Sequence, residues 1–131
     1  MFKFTDPEKL KDKVLEASKW LTVQEFCQRA PEVNDLLLLE KWKKEAKIFS
    51  VVNENVELIP EYVFDQQGNL RPTIQKILHL FEGKRSPLEI AIWFICVNGW
   101  LDGNTPINWL ETYPEFVLEA ARMEAFPSDH C

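Results

Sequence analysis

The sequence contains few of the residues from which catalytic, metal and phosphate sites are commonly built. Its 131 residues include three cysteines, two histidines and four glycines. It has no CxxC pair, and neither His79 nor His130 has a nucleophile or a metal ligand at motif spacing. It also has no G-x-G-x-x-G or Walker loop for binding phosphate. Nothing singles out a carboxylate pair for acid–base catalysis, so we predict a protein that is not an enzyme and needs no cofactor or metal.

Cysteine spacing and hydrophobic run length bear on the compartment. The chain has an odd number of cysteines: Cys27, Cys96 and Cys131. The first two lie in apolar helical segments, where free thiols usually pack as small hydrophobic side chains. The first residues show no signal-peptide pattern. The longest apolar run, residues 88–97, is shorter than the roughly 20 residues that cross a bilayer. We therefore expect a reduced, cytoplasmic protein without a membrane partner.

Charge is distributed unevenly along the chain, whose net charge is −6. Residues 1–60 carry 10 Lys and Arg against 11 Asp and Glu, whereas residues 61–131 carry 5 against 10. Nucleic acid phosphates would repel the second half but not the nearly neutral first half. The acidic second half therefore favours a basic protein partner.

The N-terminal part has the pattern of a helix-turn-helix followed by a hairpin. Asp6 and Asn34-Asp35 are candidate helix N-caps. Thr22 and Glu25 form a capping box that starts a short helix, and residues 36–46 form the next one. Two β-rich segments around an Asn-Glu-Asn turn then predict a hairpin. We assign residues 1–65 to a winged helix-turn-helix-like module.

This module resembles the MerR/excisionase type of winged helix. The resemblance lies in L-T-V-Q-E at residues 21–25 and W-K-K-E-A-K-I at residues 42–48, and it covers about residues 20–65. It implies DNA binding by the second helix, with phosphate contacts from lysines at its end. These candidate DNA-binding residues are Lys41, Lys43, Lys44 and Lys47.

The same segment departs from that family at three places. The inter-helix turn, residues 30–34, lacks the usual Gly with Ser or Thr, and Ala46 stands where Gly usually ends the second helix. Four leucines, residues 36–39, occupy the start of the helix that would read base edges, and leucine cannot hydrogen-bond to a base. The alternative to DNA contact is a solvated lysine-rich face beside a protein interface.

Residues 86–125 are predicted to form a helical unit around a tight turn. Ser86 caps an apolar helix that is expected to be buried on nearly all sides. Asp102-Gly103 marks the turn. Thr105-Pro106 and Tyr113-Pro114 then start two further helices, because proline is favoured at the first helical position.

This unit resembles the toxin-binding domain of the Xre/MbcA/ParS antitoxin family. The resemblance lies in W-L-D-G-N-T-P-I-N-W-L at residues 100–110, then Val117 and Ala120-Ala121, and covers about a third of the chain. It implies a non-enzymatic bacterial antitoxin that neutralises a cognate toxin, commonly one with a RES-type fold that consumes NAD. The implied partner-binding residues are Trp100, Leu101, Asp102, Gly103, Pro106, Trp109 and Leu110.

A linker and a tail complete the C-terminal module, residues 66–131. F-D-Q-Q-G-N-L-R-P at residues 64–72 is similar to the linker that precedes the toxin-binding part in such antitoxins, and a helix is predicted over residues 72–81. The resemblance also implies that the tail, with Asp129 and His130, enters the active-site cleft of the toxin. The alternative is a free polar end.

We therefore predict a mainly α fold with one small β-hairpin. Its expected function is that of an antitoxin-like protein acting through its acidic C-terminal module. Two alternatives stay open: a stand-alone DNA-binding regulator that recognises operator DNA, and an orphan protein-binding adaptor. Antitoxins of this type are often dimers, and the leucine run at residues 36–39 offers a seam for a homodimer.

Overall fold

The computed structural model describes residues 7–30 and 36–127. The predicted caps Asp6 and Asn34-Asp35 and the tail residues Asp129 and His130 lie outside these ranges. Single turns of 3-10 helix cover Glu61–Val63 and Gly99–Leu101. The other elements are α1 (Pro7–Ala17), β1 (Trp20–Thr22), α2 (Val23–Arg29), α3 (Leu36–Lys44), β2 (Val51–Asn53), β3 (Val56–Pro60), α4 (Pro72–Phe81), α5 (Pro87–Ile95), α6 (Pro106–Trp109) and α7 (Pro114–Ala125).

The fold is mainly α with a small antiparallel sheet, as the sequence predicts. The predicted hairpin is β2–β3, and a third strand extends it in the order β1-β3-β2. Leu21 of β1 lies opposite Ile59 of β3, and both side chains are buried. The sequence analysis missed β1, because a three-residue strand that pairs with a distant segment leaves no local periodicity.

Two helices begin with the capping boxes that the sequence predicts or permits. At α2, the Glu25 amide donates to Thr22 Oγ1 over 3.1 Å, and the Thr22 amide donates to the Glu25 carboxylate over 2.9 Å. At α5, Ser86 and Glu89 exchange the same pair of hydrogen bonds, at 3.2 and 2.8 Å. These bonds satisfy amide groups that a helix leaves without a partner at its start.

Two backbone turns of the N-terminal part use left-handed conformations without glycine. Glu54 and Asn55, between β2 and β3, have φ values of 50° and 66°, as expected for a two-residue hairpin turn. Ala46, just after α3, has φ 57°. Glycine adopts this conformation most easily, so Ala46 holds a backbone geometry that its side chain disfavours.

The buried side chains form one core that includes residues from both halves of the chain. Phe94 of α5 is central, because its ring lies 5.0 Å from that of Tyr62 and 6.5 Å from that of Phe49. Helix α1 packs on α5, and α4 packs on α7. The core therefore continues across the boundary between residues 65 and 66, and the division of the chain there stays a prediction.

One local expectation was wrong. Helix α5 is not buried on nearly all sides: Ile90, Ala91 and Phe94 are buried, whereas Ile92 and Ile95 are only half-buried. Tertiary packing decides which side of the helix is buried, and a short apolar run does not report it.

Candidate partner-binding site

Asn98 closes the turn that follows α5 by hydrogen bonds with the residues of that turn. Its side-chain oxygen accepts from the Trp100 amide over 2.9 Å, and its carbonyl accepts from the Gly103 amide over 3.0 Å. Its own amide donates to the Asn104 carbonyl over 2.9 Å. Asp102 and Gly103 are left-handed, with φ 55° and 80°. The predicted tight turn at Asp102-Gly103 is confirmed, and its backbone conformation is tightly constrained.

This turn separates adjacent residues of the predicted partner-binding set. Leu101 is completely buried, and the 3-10 turn that carries it packs against α7. Pro106 and Leu110 are also buried, with Pro106 at the start of α6 where Thr105 caps the helix. Trp100, by contrast, is 59% exposed. Thus Trp100 is exposed at the surface, while the other three residues are part of the buried interior.

A cluster of three aromatic side chains lies where α6 leads into α7, and we call Trp109, Tyr113 and Phe116 the aromatic platform. The ring centroids are 4.9, 6.1 and 5.9 Å apart, so each ring contacts the other two. Tyr113 is 46% exposed, Phe116 is 58% exposed and Trp109 is half-buried. The platform is therefore a continuous apolar surface on the acidic half of the protein.

Of this platform, only Trp109 is predicted from the sequence to bind a partner. Tyr113 and Phe116 follow it at spacings of four and three residues, which is the pattern of one helical face. On α7, Val117 is fully buried and Phe116 is exposed. The buried face of this helix consists of Val117, Ala120, Ala121 and Ala125.

Three exposed carboxylates accompany the platform in the chain: Glu111, Glu115 and Glu119. Glu111 lies 2.7 Å from the guanidinium of Arg71 at the start of α4. Glu119 lies 3.4 Å from the guanidinium of Arg122. Lys76 also lines a cleft with Glu115, Glu119 and Arg122. Three cations thus accompany the three carboxylates, and these six groups together carry no net charge.

The lysines predicted to contact DNA are in a different situation, and Lys43 shows it best. Its ammonium lies 2.7 Å from the Glu40 carboxylate and also bonds to Glu57, whose other partner is the Ser50 hydroxyl at 2.7 Å. Burial would lower the pKa of Lys43, but these bonds outweigh burial and raise it. Burial would raise the pKa of Glu57, but its hydrogen bonds with Lys43 and Ser50 outweigh burial and lower it. Lys43 therefore ties α3 to β3.

Lys47 is also engaged within the protein. Its ammonium lies 3.4 Å from Glu45 and 5.7 Å from the centroid of the Trp42 ring. Lys41 and Lys44 are exposed. The four predicted DNA-binding lysines therefore do not form one free basic surface, since two of them stabilise the end of α3.

A polar cleft of about 310 Å³ lies beside Arg29, Glu61 and Arg71. The Arg29 guanidinium lies 2.8 Å from the Glu61 carboxylate and 5.1 Å from the centroid of the Phe64 ring, and Lys19 is 3.8 Å from the same carboxylate. Arg71 at the other side holds Glu111. Since each cation already lies beside a carboxylate, the cleft offers little net charge for a ligand.

The surroundings of the described cysteines and of His79 bear on metal binding and nucleophilic chemistry. The described residues contain no group of three or more His, Cys, Asp or Glu side chains that would hold a metal ion. Cys27 and Cys96 are half-buried, and burial raises the pKa of the Cys96 thiol, so this thiol is a poor nucleophile at neutral pH. His79 is exposed and lies 3.5 Å from Glu82 on the same helix.

No family model, curated protein or solved structure matches this chain. Among the described helices, none has the length and apolar character that a membrane span requires.

Proposed function

We propose that this protein is a non-enzymatic, cytoplasmic binding protein whose acidic C-terminal half engages a basic protein partner. The observation that carries the proposal is the exposure of Trp100 on a turn whose backbone is closed by hydrogen bonds. A rigid aromatic side chain at the surface loses little conformational entropy on binding and is a typical energetic centre of an interface. The neighbouring Leu101 is buried, and the 3-10 turn that carries both residues packs against α7.

In its most specific form, the proposal is an antitoxin that neutralises a toxin of RES-type fold that consumes NAD. The residues that support this form are W-L-D-G-N-T-P-I-N-W-L at positions 100–110, whose turn and cap geometry fit a presented surface. In this form the tail, with Asp129 and His130, reaches the active site of the toxin. Deleting residues 127–131 should then weaken neutralisation without preventing complex formation.

Capture of the tagged protein from its own cells, followed by reconstitution, tests the proposal. The expected result is one stoichiometric protein partner that consumes NAD and is inhibited by the wild-type chain. Trp100→Ala should remain folded by circular dichroism and lose most of this binding. Val52→Ala, which truncates a 56% exposed side chain in the other half, is the matched control and should bind normally. Unchanged binding by Trp100→Ala would remove Trp100 from the interface.

The second candidate is a DNA-binding regulator. It is favoured by the order strand, helix, helix and hairpin over residues 20–60, with left-handed Ala46 after α3. It predicts DNA affinity that falls steeply with salt and that is lost in the Lys41→Glu, Lys44→Glu double variant. These two exposed lysines are chosen because changing Lys43 or Lys47 would also break bonds within the fold.

An adaptor function and a homodimer each make a further prediction. If the captured partner does not consume NAD, the protein is an adaptor rather than an antitoxin. If the chain forms a homodimer through the leucine run, Leu36 and Leu37 must carry the seam, because they are exposed while Leu39 is buried. Light scattering would then show a dimer for the wild type and a monomer for Leu36→Ser, Leu37→Ser.

A further inference from the structure

We propose that the aromatic platform binds an arginine-bearing basic segment of the partner. This inference rests on the proposed function and names the part of the surface and the side-chain chemistry that recognise the partner. Trp109, Tyr113 and Phe116 present ring faces, and the C-terminal half that carries them has 10 acidic against 5 basic residues.

The ring geometry favours a flat ligand group. The three ring planes are tilted against one another by 52°, 57° and 47°, and their centroids lie within 6.1 Å of each other. The rings fill the space between themselves, so they form a surface rather than a cage. A guanidinium is planar and weakly hydrated, and stacks on such a surface better than an ammonium does.

The charge of the C-terminal half selects the sign of the ligand. Beside the platform, the carboxylates of Glu111, Glu115 and Glu119 are balanced by the cations of Arg71, Lys76 and Arg122. The half as a whole carries 10 acidic against 5 basic residues. Aromatic surfaces also stack with the bases of single-stranded nucleic acid. Phosphates would be repelled by this excess of negative charge, so a basic peptide fits this surface and a nucleic acid does not.

The platform is held in place before any ligand binds. The Tyr113 amide donates to the Trp109 carbonyl over 2.7 Å, and Pro114 starts α7 directly after Tyr113. The ion pair between Glu111 and Arg71 joins the connection between α6 and α7 to α4. A fixed surface of this kind reduces the entropy lost when a flexible peptide binds.

The test uses the full-length protein and synthetic peptides of equal length that are rich in Arg, Lys or Glu. Calorimetry should show the Arg peptide binding about two- to fivefold more tightly than the Lys peptide, the advantage of an exposed cation–π contact. Tyr113→Ala, Phe116→Ala should remove that advantage. Phe126→Ala, which truncates an exposed aromatic side chain at the end of α7, should retain it. Amide NMR shifts should map the Arg peptide to residues 109–119.

Several outcomes would overturn the inference. Equal binding of the Arg and Lys peptides would do so, as would an Arg preference that survives in the double variant. Binding of single-stranded DNA that is lost in the double variant would identify a nucleic acid surface instead. If the captured partner binds the double variant normally but not Trp100→Ala, the inference fails while the proposed function stands. If no partner is captured although the Arg preference maps to the platform, the proposed function fails.

Discussion

Lys43 of α3 and the aromatic platform of α6–α7 differ in how the fold uses them. Lys43 bonds to Glu40 and Glu57 and so joins the helix to the sheet. At α6–α7, the buried leucines and alanines complete the packing, and the aromatic rings of Tyr113 and Phe116 stay exposed. A cluster of side chains indicates a binding surface only when the fold does not already use it.

The largest expected effect separates the core beneath the platform from the platform itself. Leu110→Ala should lower the free energy of unfolding by about 3 kcal/mol, because Leu110 is 2% exposed and its truncation leaves a cavity. Phe116→Ala should lower it by less than about 1 kcal/mol, since most of that ring is already in water. Urea denaturation followed by circular dichroism measures both. Similar losses for the two variants would mean that Phe116 is a core residue.

The same contrast shows what the sequence could and could not predict. The capping patterns at Thr22 and Ser86 are local, since all of their hydrogen bonds form within four residues, and both appear in the structure. The different fates of Trp100 and Leu101 depend on how α7 packs against the turn. No sequence spacing reports which of two adjacent apolar residues faces a helix that lies later in the chain.

The next effect tests whether Lys43 stabilises the fold. Lys43→Met should lower the free energy of unfolding by about 1.5 kcal/mol, because it leaves the partly buried carboxylate of Glu57 without its cation. Lys44→Met, one residue away and exposed, should change it by less than about 0.5 kcal/mol. Chemical denaturation at neutral pH distinguishes them. Equal, small effects would show that Lys43 is free for an external ligand such as DNA.

A smaller effect concerns the N-cap of α5. Ser86→Ala should lower the free energy of unfolding by about 1 kcal/mol, since the Glu89 amide loses the hydroxyl that accepts its hydrogen bond. Ser86→Thr, which keeps a hydroxyl cap, should recover most of the loss. Thermal denaturation at neutral pH compares the three proteins. If both variants lose the same stability, the side-chain bond contributes nothing.

The smallest effect is a pH dependence that shows which acidic groups of the C-terminal half are already in use. The hydrogen bond from the Ser86 backbone amide, together with the Ser86 side chain, holds the pKa of Glu89 below its ordinary value of 4.5. A carboxylate with a lowered pKa stabilises the folded state above the pKa of the unfolded chain, and this contribution is lost as pH falls through the folded value. Glu89→Gln keeps the capping geometry without the charge. It should therefore be slightly less stable than the wild type at pH 7, and the difference should disappear as the pH falls below 4.5. Urea denaturation at several pH values measures this difference. A difference that stays constant with pH would mean that the charge of Glu89 contributes nothing to the helix cap.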